Sequence, residues 1–313
     1  MFAFSDAQST ALVDLGRALQ AAQYKFVTIT PASHERVLAR GHTRARNLRD
    51  VFGWSLAFEP ELLPAEMLRA LERAQALEQR ENLLHALVRF STLGRQLFVH
   101  SAFPTTGEDA VFFGPDTYRF CDFIRRHVAA PSGSVVDVGC GTGAGGLALA
   151  SCSPPRRLIL SEINPRALAL ARVNAELAGI PVELVQSDVL RQVAGEHDVI
   201  IANPPYMQDQ AARTYRHGGG AYGEELSVRI VRECLPRLAA GGTFLLYTGA
   251  PIVDGEDVFY QHVRPLLEAN ARVAQVQYEQ VDVDVFGEEL VIPAYARVER
   301  IAAVGLSVRV SGG

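Results

Sequence analysis

Cysteine is scarce in this chain. Cys121, Cys140, Cys152 and Cys234 are the only four in 313 residues, and no two of them form a C-x-x-C pair. That spacing argues against a disulfide scaffold and predicts reduced thiols in a cytoplasmic protein. No apolar run approaches the roughly 20 residues of a membrane span. Met1-Phe2-Ala3-Phe4-Ser5-Asp6 offers neither a basic stretch nor a long apolar segment, so no secretory leader is expected. The eight histidines, at 34, 42, 85, 100, 127, 197, 217 and 262, fall at no ligand spacing, which predicts no metal site. Repeats and low-complexity tracts are missing. An excess of basic charge is missing too: the net charge is −5, which weighs mildly against nucleic acid, although a basic patch can hide in an acidic average.

What is present is a 48% hydrophobic chain, enough for a substantial core in one large or two smaller domains. Leu12, Leu15 and Leu19 give residues 8–22 helical spacing, and 24–30 reads as a short strand. Pro31 opens a helix over 34–40, and the stretch 64–87 sets Leu68, Leu71, Ala74 and Leu77 on one helical face. A mainly helical N-terminal domain is therefore expected over 1–95, for substrate recognition or as a lid. His34, Arg36, Arg40, His42, Arg44, Arg46 and Arg49 form one basic cluster, either a solvated helix face or a patch for RNA or an acidic partner. Apolar runs at 97–100 and 110–113 read as a β-hairpin or flap, making 96–113 a linker. Gly114-Pro115-Asp116 then starts a helix that runs to Arg126.

From 134 onward strands alternate with helices. Strands are expected at 134–138, 157–162, 182–187, 197–202 and 243–248, and helices notably at 165–178 and 223–239. Two further strands at 273–280 and 297–310 close the pattern, the last elements antiparallel. The fold class is α/β: a doubly wound, mostly parallel, seven-stranded Rossmann-like sheet over 114–313, with ligands beyond the C-terminal strand ends.

Three strand ends suggest a nucleotide-type ligand. Val135-Val136-Asp137-Val138 runs into Gly139-Cys140-Gly141-Thr142-Gly143-Ala144, a strand, a tight turn and a helix start. Glycines there let the backbone approach a ligand, and the helix N-terminus offers unpaired N–H groups. Gly141, Gly143 and Gly146 also satisfy G-x-G-x-x-G, which keeps a dinucleotide-binding oxidoreductase open. Glu162 lies 23 positions after Gly139, close to the spacing of an acid that takes a ribose hydroxyl pair, although a strand-end acid can also cap the next helix. Asp188 can accept from the exocyclic amino group of adenine, with Val189 packed on the ring.

The fourth strand ends at Asn203-Pro204-Pro205-Tyr206. Two prolines lock the backbone, remove two donors and leave carbonyls facing outward. Asn203 adds an amide and Tyr206 a flat face for stacking. The result is a cradle for a planar N–H₂ group held by acceptors, poised so that its lone pair points at an electrophile. The loop 207–223, with three consecutive glycines, reads as a lid or as a surface loop.

These motifs, in this order, resemble a class I S-adenosylmethionine-dependent methyltransferase over about residues 97–250. The tetrapeptide narrows the resemblance to the amino-methylating branch, which includes glutamine-N5 methyltransferases of release factors and N6-adenine methyltransferases. Phe113-Gly114-Pro115-Asp116-Thr117-Tyr118 is similar to the segment that contacts the methionine part of the cofactor in the release-factor group. The resemblance implies a cofactor site of Asp116, Thr117, Asp137, Gly139, Cys140, Gly141, Gly143, Glu162, Ile163, Asp188, Val189 and Asn203. It implies methyl transfer at Asn203, Pro204, Pro205 and Tyr206, S-adenosyl-L-homocysteine as product, and no metal. Three acceptors follow from it: a protein glutamine (on a translation factor, for instance), a nucleobase in RNA or DNA, or a small-molecule amine. The chain departs from the release-factor group at Phe113-Gly114-Pro115, where an arginine-proline run is usual. It also departs in 217–223, and 282–289 matches nothing assignable. An NAD(P)-binding oxidoreductase leaves Asn203-Pro204-Pro205-Tyr206 without a role, and a non-catalytic scaffold leaves all the motifs without one.

Overall fold

A computed structural model of the chain describes residues 4–41, 43–128, 130–131, 133–209, 213 and 215–312. Met1-Phe2-Ala3 of the leader expectation, His42 of the basic cluster, and 210–212 and 214 of the glycine-rich loop lie outside the described residues.

The N-terminal part is built from α1 (Asp6–Ala21), α2 (Pro31–Leu38), α3 (Leu48–Phe52) and α4 (Ala65–Arg73), followed by two hairpins, β1 (Leu77–Arg80) with β2 (Leu83–Ala86) and β3 (Val88–Leu93) with β4 (Gln96–Ser101). Ser5 and Gln8 close a capping box on α1. Three expectations are corrected here. The helix foreseen over 64–87 stops after Arg73, because Gln75 turns left-handed (φ 53°) and the Ala76 N–H bonds back to Leu71 O. Helix-like leucine spacing continues past that point, but the chain is a hairpin turned at Glu81 (φ 54°). Segment 24–30 is extended but joins no ladder. It is held by scattered bonds instead, among them Thr92 N to Phe26 O, the Tyr24 hydroxyl to Phe90 O and Thr28 N to the Tyr118 hydroxyl. The partner of β4 is β3, turned at Gly94 (φ 60°), not 110–113, which meets β4 at Ser101, through the Ser101 N–Val111 O bond and the Val111 N bond to the Ser101 hydroxyl.

The second part follows the expected alternation: α5 (Pro115–His127), β5 (Ser134–Val138), α6 (Ala144–Cys152), β6 (Arg157–Glu162), α7 (Pro165–Ala178), β7 (Glu183–Gln186), β8 (His197–Ala202), α8 (Glu225–Cys234), β9 (Leu238–Val253), β10 (Glu256–Asp257), α9 (Val258–Glu268), β11 (Val273–Asp282) and β12 (Val298–Val310). The sheet order is β7-β6-β5-β8-β9-β12-β11, with β10 added on β9. β7 through β9 are parallel, and β12 and β11 are antiparallel. The foreseen helix 223–239 is shorter, since Pro236 ends it in a single 3₁₀ turn. β9 correspondingly starts five residues earlier than the apolar run at 243 and extends to Val253. Among the described residues no helix is long and apolar enough to cross a membrane.

The two parts share a wall. Ala167, Leu170 and Val173 of α7 belong to the apolar cluster formed by α1, α3, α4 and the hairpins. Gly16 lets α1 lie close: a Cβ there would stand 2.6 Å from Leu177. Asn174, fully buried, accepts from Val99 N (2.7 Å) and donates to Val99 O and Thr142 O (3.1 and 3.0 Å), so it ties β4 to the glycine turn. An Asn174→Leu change strands these buried backbone groups. It is expected to lower unfolding free energy by about 2 kcal/mol in a urea titration.

Of the basic cluster, Arg36, Arg40, Arg44, Arg46 and Arg49 are exposed, but His34 is not part of that face. It is 1% exposed between the Trp54 and Phe103 rings, and burial, with Arg89 nearby, brings its pKa down to about 4.

Candidate active site

The C-terminal ends of β5, β6, β7 and β8 open on one cavity of about 220 Å³. Asp116, Thr117, Asp137, Gly139, Cys140, Gly141, Glu162, Ile163, Asp188, Val189, Asn203, Pro204, Pro205 and Tyr206 all line it. Gly143, of the expected set, does not. It caps α6 in a left-handed conformation (φ 77°), and its Cβ would press on Leu160 and Leu147. Gly139 and Gly141 are also left-handed (φ 64° and 53°), but a Cβ on either would meet nothing within 4 Å. The room beside them is the cradle into which a ligand's polar chain can lie against bare backbone.

Asp137 ends β5 almost wholly buried and accepts the Gly146 N–H at 2.8 Å, folding the start of α6 back on the strand. Burial, with Glu162 adding repulsion, pushes its pKa up to about 7 against the Gly146 bond. The folded state thus holds this proton more tightly than the unfolded chain, whose aspartates titrate near 4, and stability from this group drains away as pH rises from about 4 to about 7. Asp137→Asn keeps an acceptor for Gly146 but cannot titrate. Its stability relative to the unsubstituted chain should therefore climb across that window and stay flat above it, as followed by urea titrations. A difference independent of pH would contradict the assignment.

Glu162 ends β6. One carboxylate oxygen accepts Gly141 N (2.9 Å) and the other Asn164 N (3.0 Å), while Asn164 caps α7. Glu162 thus faces the cavity and braces the turn, while the cap of α7 falls to Asn164 rather than to this acid. Burial raises its pKa, and the backbone N–H groups oppose the rise. Ile163, half exposed, and Val189 supply apolar surface beside it. Asp188 lines the cavity, but Arg229 (2.8 Å) and Arg191 (3.1 Å) both engage its Oδ2, and Arg229 holds its carboxyl below the usual range.

Asn203 follows β8, and among the described residues nothing hydrogen-bonds its side-chain amide. The turn after it is packed from several sides. Met207 exchanges backbone bonds with Arg216 and Gly218 (3.0 and 2.9 Å), and the Gln208 N–H donates to the Tyr295 hydroxyl at 2.7 Å. Gly218 and Gly223 permit this approach, since a Cβ on Gly223 would come within 2.3 Å of Tyr206 O. The described end of the 207–223 loop is thus pinned to the turn. Tyr206 is only 5% exposed. Its ring rests on Gly249, meets Phe286 edge-on, and its hydroxyl donates to Asp116 at 2.5 Å.

Several lining residues have no counterpart in the sequence reading. Phe112 and Tyr215 stand parallel (5°, centroids 6.4 Å apart), and Arg216 and Phe286 add a cation and a third ring. Phe286 comes from the unassigned 282–289 stretch, 80 positions after Tyr206. A left-handed phenylalanine (φ 56°) next to Gly287 carries no recognisable spacing signal.

The residues present fit S-adenosylmethionine: bare glycine backbone, a strand-end carboxylate, apolar surface beside it and a free amide at the far end. A family model described as the methyltransferase small domain matches residues 121–249. Release factor glutamine methyltransferase of Deinococcus radiodurans is 34% identical over 131 residues, 39% of this chain and 46% of that protein. Ribosomal RNA small subunit methyltransferase C of Enterobacter sp. strain 638 is 32% identical over 118 residues, 38% of this chain and 32% of that one. The chain spans less than half the length of both relatives. The solved structure of Methanocaldococcus jannaschii TYW2 in complex with AdoMet aligns with a TM-score of 0.50 at 14% identity, covering 76% of this chain and 90% of that one. This last likeness is one of fold.

Proposed function

We propose that this chain, whose residues 121–249 match the methyltransferase small domain, is a class I S-adenosylmethionine-dependent methyltransferase that acts on a planar N–H₂ nitrogen, most favourably that of a protein glutamine. The observation that carries this is the convergence of Asn203-Pro204-Pro205-Tyr206, the glycine turn and Glu162 on one cavity. Glu162 takes the ribose hydroxyls, Gly139 and Gly141 admit the methionine portion, and Ile163 and Val189 hold the adenine, with Asp188 near its edge. When bound, the cofactor supplies an electrophilic methyl on sulfur. The Asn203 side-chain oxygen and the Pro204 carbonyl accept the two N–H bonds of the acceptor. That draws the nitrogen lone pair out of conjugation and aims it along the line of displacement. Positioning provides most of the acceleration.

A nucleobase amino group is the second reading. The parallel rings of Phe112 and Tyr215, with Arg216 beside them, are suited to a flat π-system. Glutamine is ranked first on the likeness to the release-factor relative and on the helical N-terminal part. Incubation of the chain with methyl-labelled cofactor and a cell lysate, split into protease and nuclease arms, decides the matter. Label removed by protease supports the glutamine reading, label removed by nuclease supports the base, and label in neither polymer overturns both.

A further inference from the structure

We infer that Asp116 is a positioning residue for the proposed reaction: its buried carboxylate fixes the Tyr206 phenol and so holds the Asn203-Pro204-Pro205 turn in register. This rests on the functional reading above and departs from the cofactor-contacting role that resemblance implies for Asp116. Both oxygens of the carboxylate are taken by the protein itself. Oδ2 accepts from the Tyr206 hydroxyl (2.5 Å), and Oδ1 accepts from the Tyr247 hydroxyl (2.9 Å) and from Arg119 Nη1 (3.2 Å). Arg119 in turn reaches Asp282 at the end of β11 through Nη2 (2.8 Å). The network therefore joins the N-terminus of α5, the turn after β8, the middle of β9 and the exit of β11.

Its geometry suits a clamp. Asp116 is 5% exposed, so its charge persists only with partners, and two phenols plus a guanidinium supply them. Tyr206 is held at the hydroxyl by Asp116, at the ring edge by Phe286 and underneath by Gly249, where a Cβ would fall 2.2 Å from the ring. Phe286 stands four residues beyond Asp282, so the Arg119–Asp282 pair anchors the segment that delivers that ring. With its last residue gripped on three sides, the turn cannot tilt its carbonyls away from the acceptor. A reacting group displaced by an ångström forfeits much of its rate.

The test uses the full chain, tritiated S-adenosylmethionine with the lysate fraction that takes label, and calorimetry with S-adenosylhomocysteine. Asp116→Asn and Tyr206→Phe are each expected to lower kcat about tenfold, with KM for the methyl donor and Kd for S-adenosylhomocysteine within about twofold of the unsubstituted chain. The double variant should be no slower than the slower single one, because Tyr206→Phe removes the contact outright and Asp116→Asn, which keeps an acceptor oxygen but loses the charge, weakens that same contact. Should Asp116→Asn fail to fold, Arg119→Met removes the counter-charge from the cavity's outer side and should lower kcat about threefold with the same unchanged Kd. A tenfold weaker Kd with kcat intact would make Asp116 a cofactor ligand and overturn the inference alone. So would multiplicative losses in the double variant. A chain that binds S-adenosylhomocysteine yet methylates nothing overturns the functional reading, and this inference falls with it.

Discussion

Asn203→Ala should abolish most turnover, by about 10²- to 10³-fold in kcat, while S-adenosylhomocysteine still binds within a few-fold of its original affinity. The magnitude is that of losing one preorganised acceptor at a reacting centre. The separation follows from placement. The Asn203 amide is engaged by no described residue, whereas the glycine turn and Glu162 are held by bonds that do not involve it. Truncating it leaves those bonds intact, so folding and cofactor affinity should be spared and the loss confined to the chemical step. Single-turnover kinetics alongside calorimetry checks both halves. Undiminished turnover on the native acceptor would refute the cradle.

Glu162→Ala is expected to do the reverse, weakening S-adenosylhomocysteine binding by about 10²-fold, which is two charge-assisted hydrogen bonds of roughly 1.5 kcal/mol each. The change also frees Gly141 N and Asn164 N, which Glu162 now binds. Glu162→Gln separates the effects: it retains one acceptor oxygen for the turn but loses the charge, and should fall between the unsubstituted chain and the alanine variant. Calorimetry with unchanged affinity in the alanine variant would remove Glu162 from the site.

That these two residues lie at the cavity was readable because their information is local. A glycine turn, an acid at the next strand end and a proline-locked turn each declare themselves within a few positions. Buried parallel strands such as Asp198-Val199-Ile200-Ile201-Ala202 do so too, as continuous apolar runs. The errors fall where the deciding contact is distant or the turn residue is atypical. Gln75 and Glu81 adopt left-handed conformations that glycine or asparagine would have advertised, so a hairpin passed as more helix. Segment 110–113 has the apolar content of a strand, yet β3 already occupies its place beside β4. α9 fills the gap between the strands expected at 243–248 and 273–280, and Asp257 caps its start by accepting from Tyr260 N. The rings of Phe112, Tyr215 and Phe286 meet at the cavity only through the path of the fold, and no spacing in the chain announces that meeting.

Helix α7 has two clients. One flank carries Ala167, Leu170 and Val173 into the apolar cluster of the first hundred residues, and Asn174 grips both β4 and the Thr142 carbonyl of the glycine turn. A trimmed version beginning at 102 would therefore expose a greasy helix flank to water and leave Asn174, which holds the ligand turn, without its two bonds to Val99. The segment that resembles other proteins most closely is not, in this chain, a detachable part.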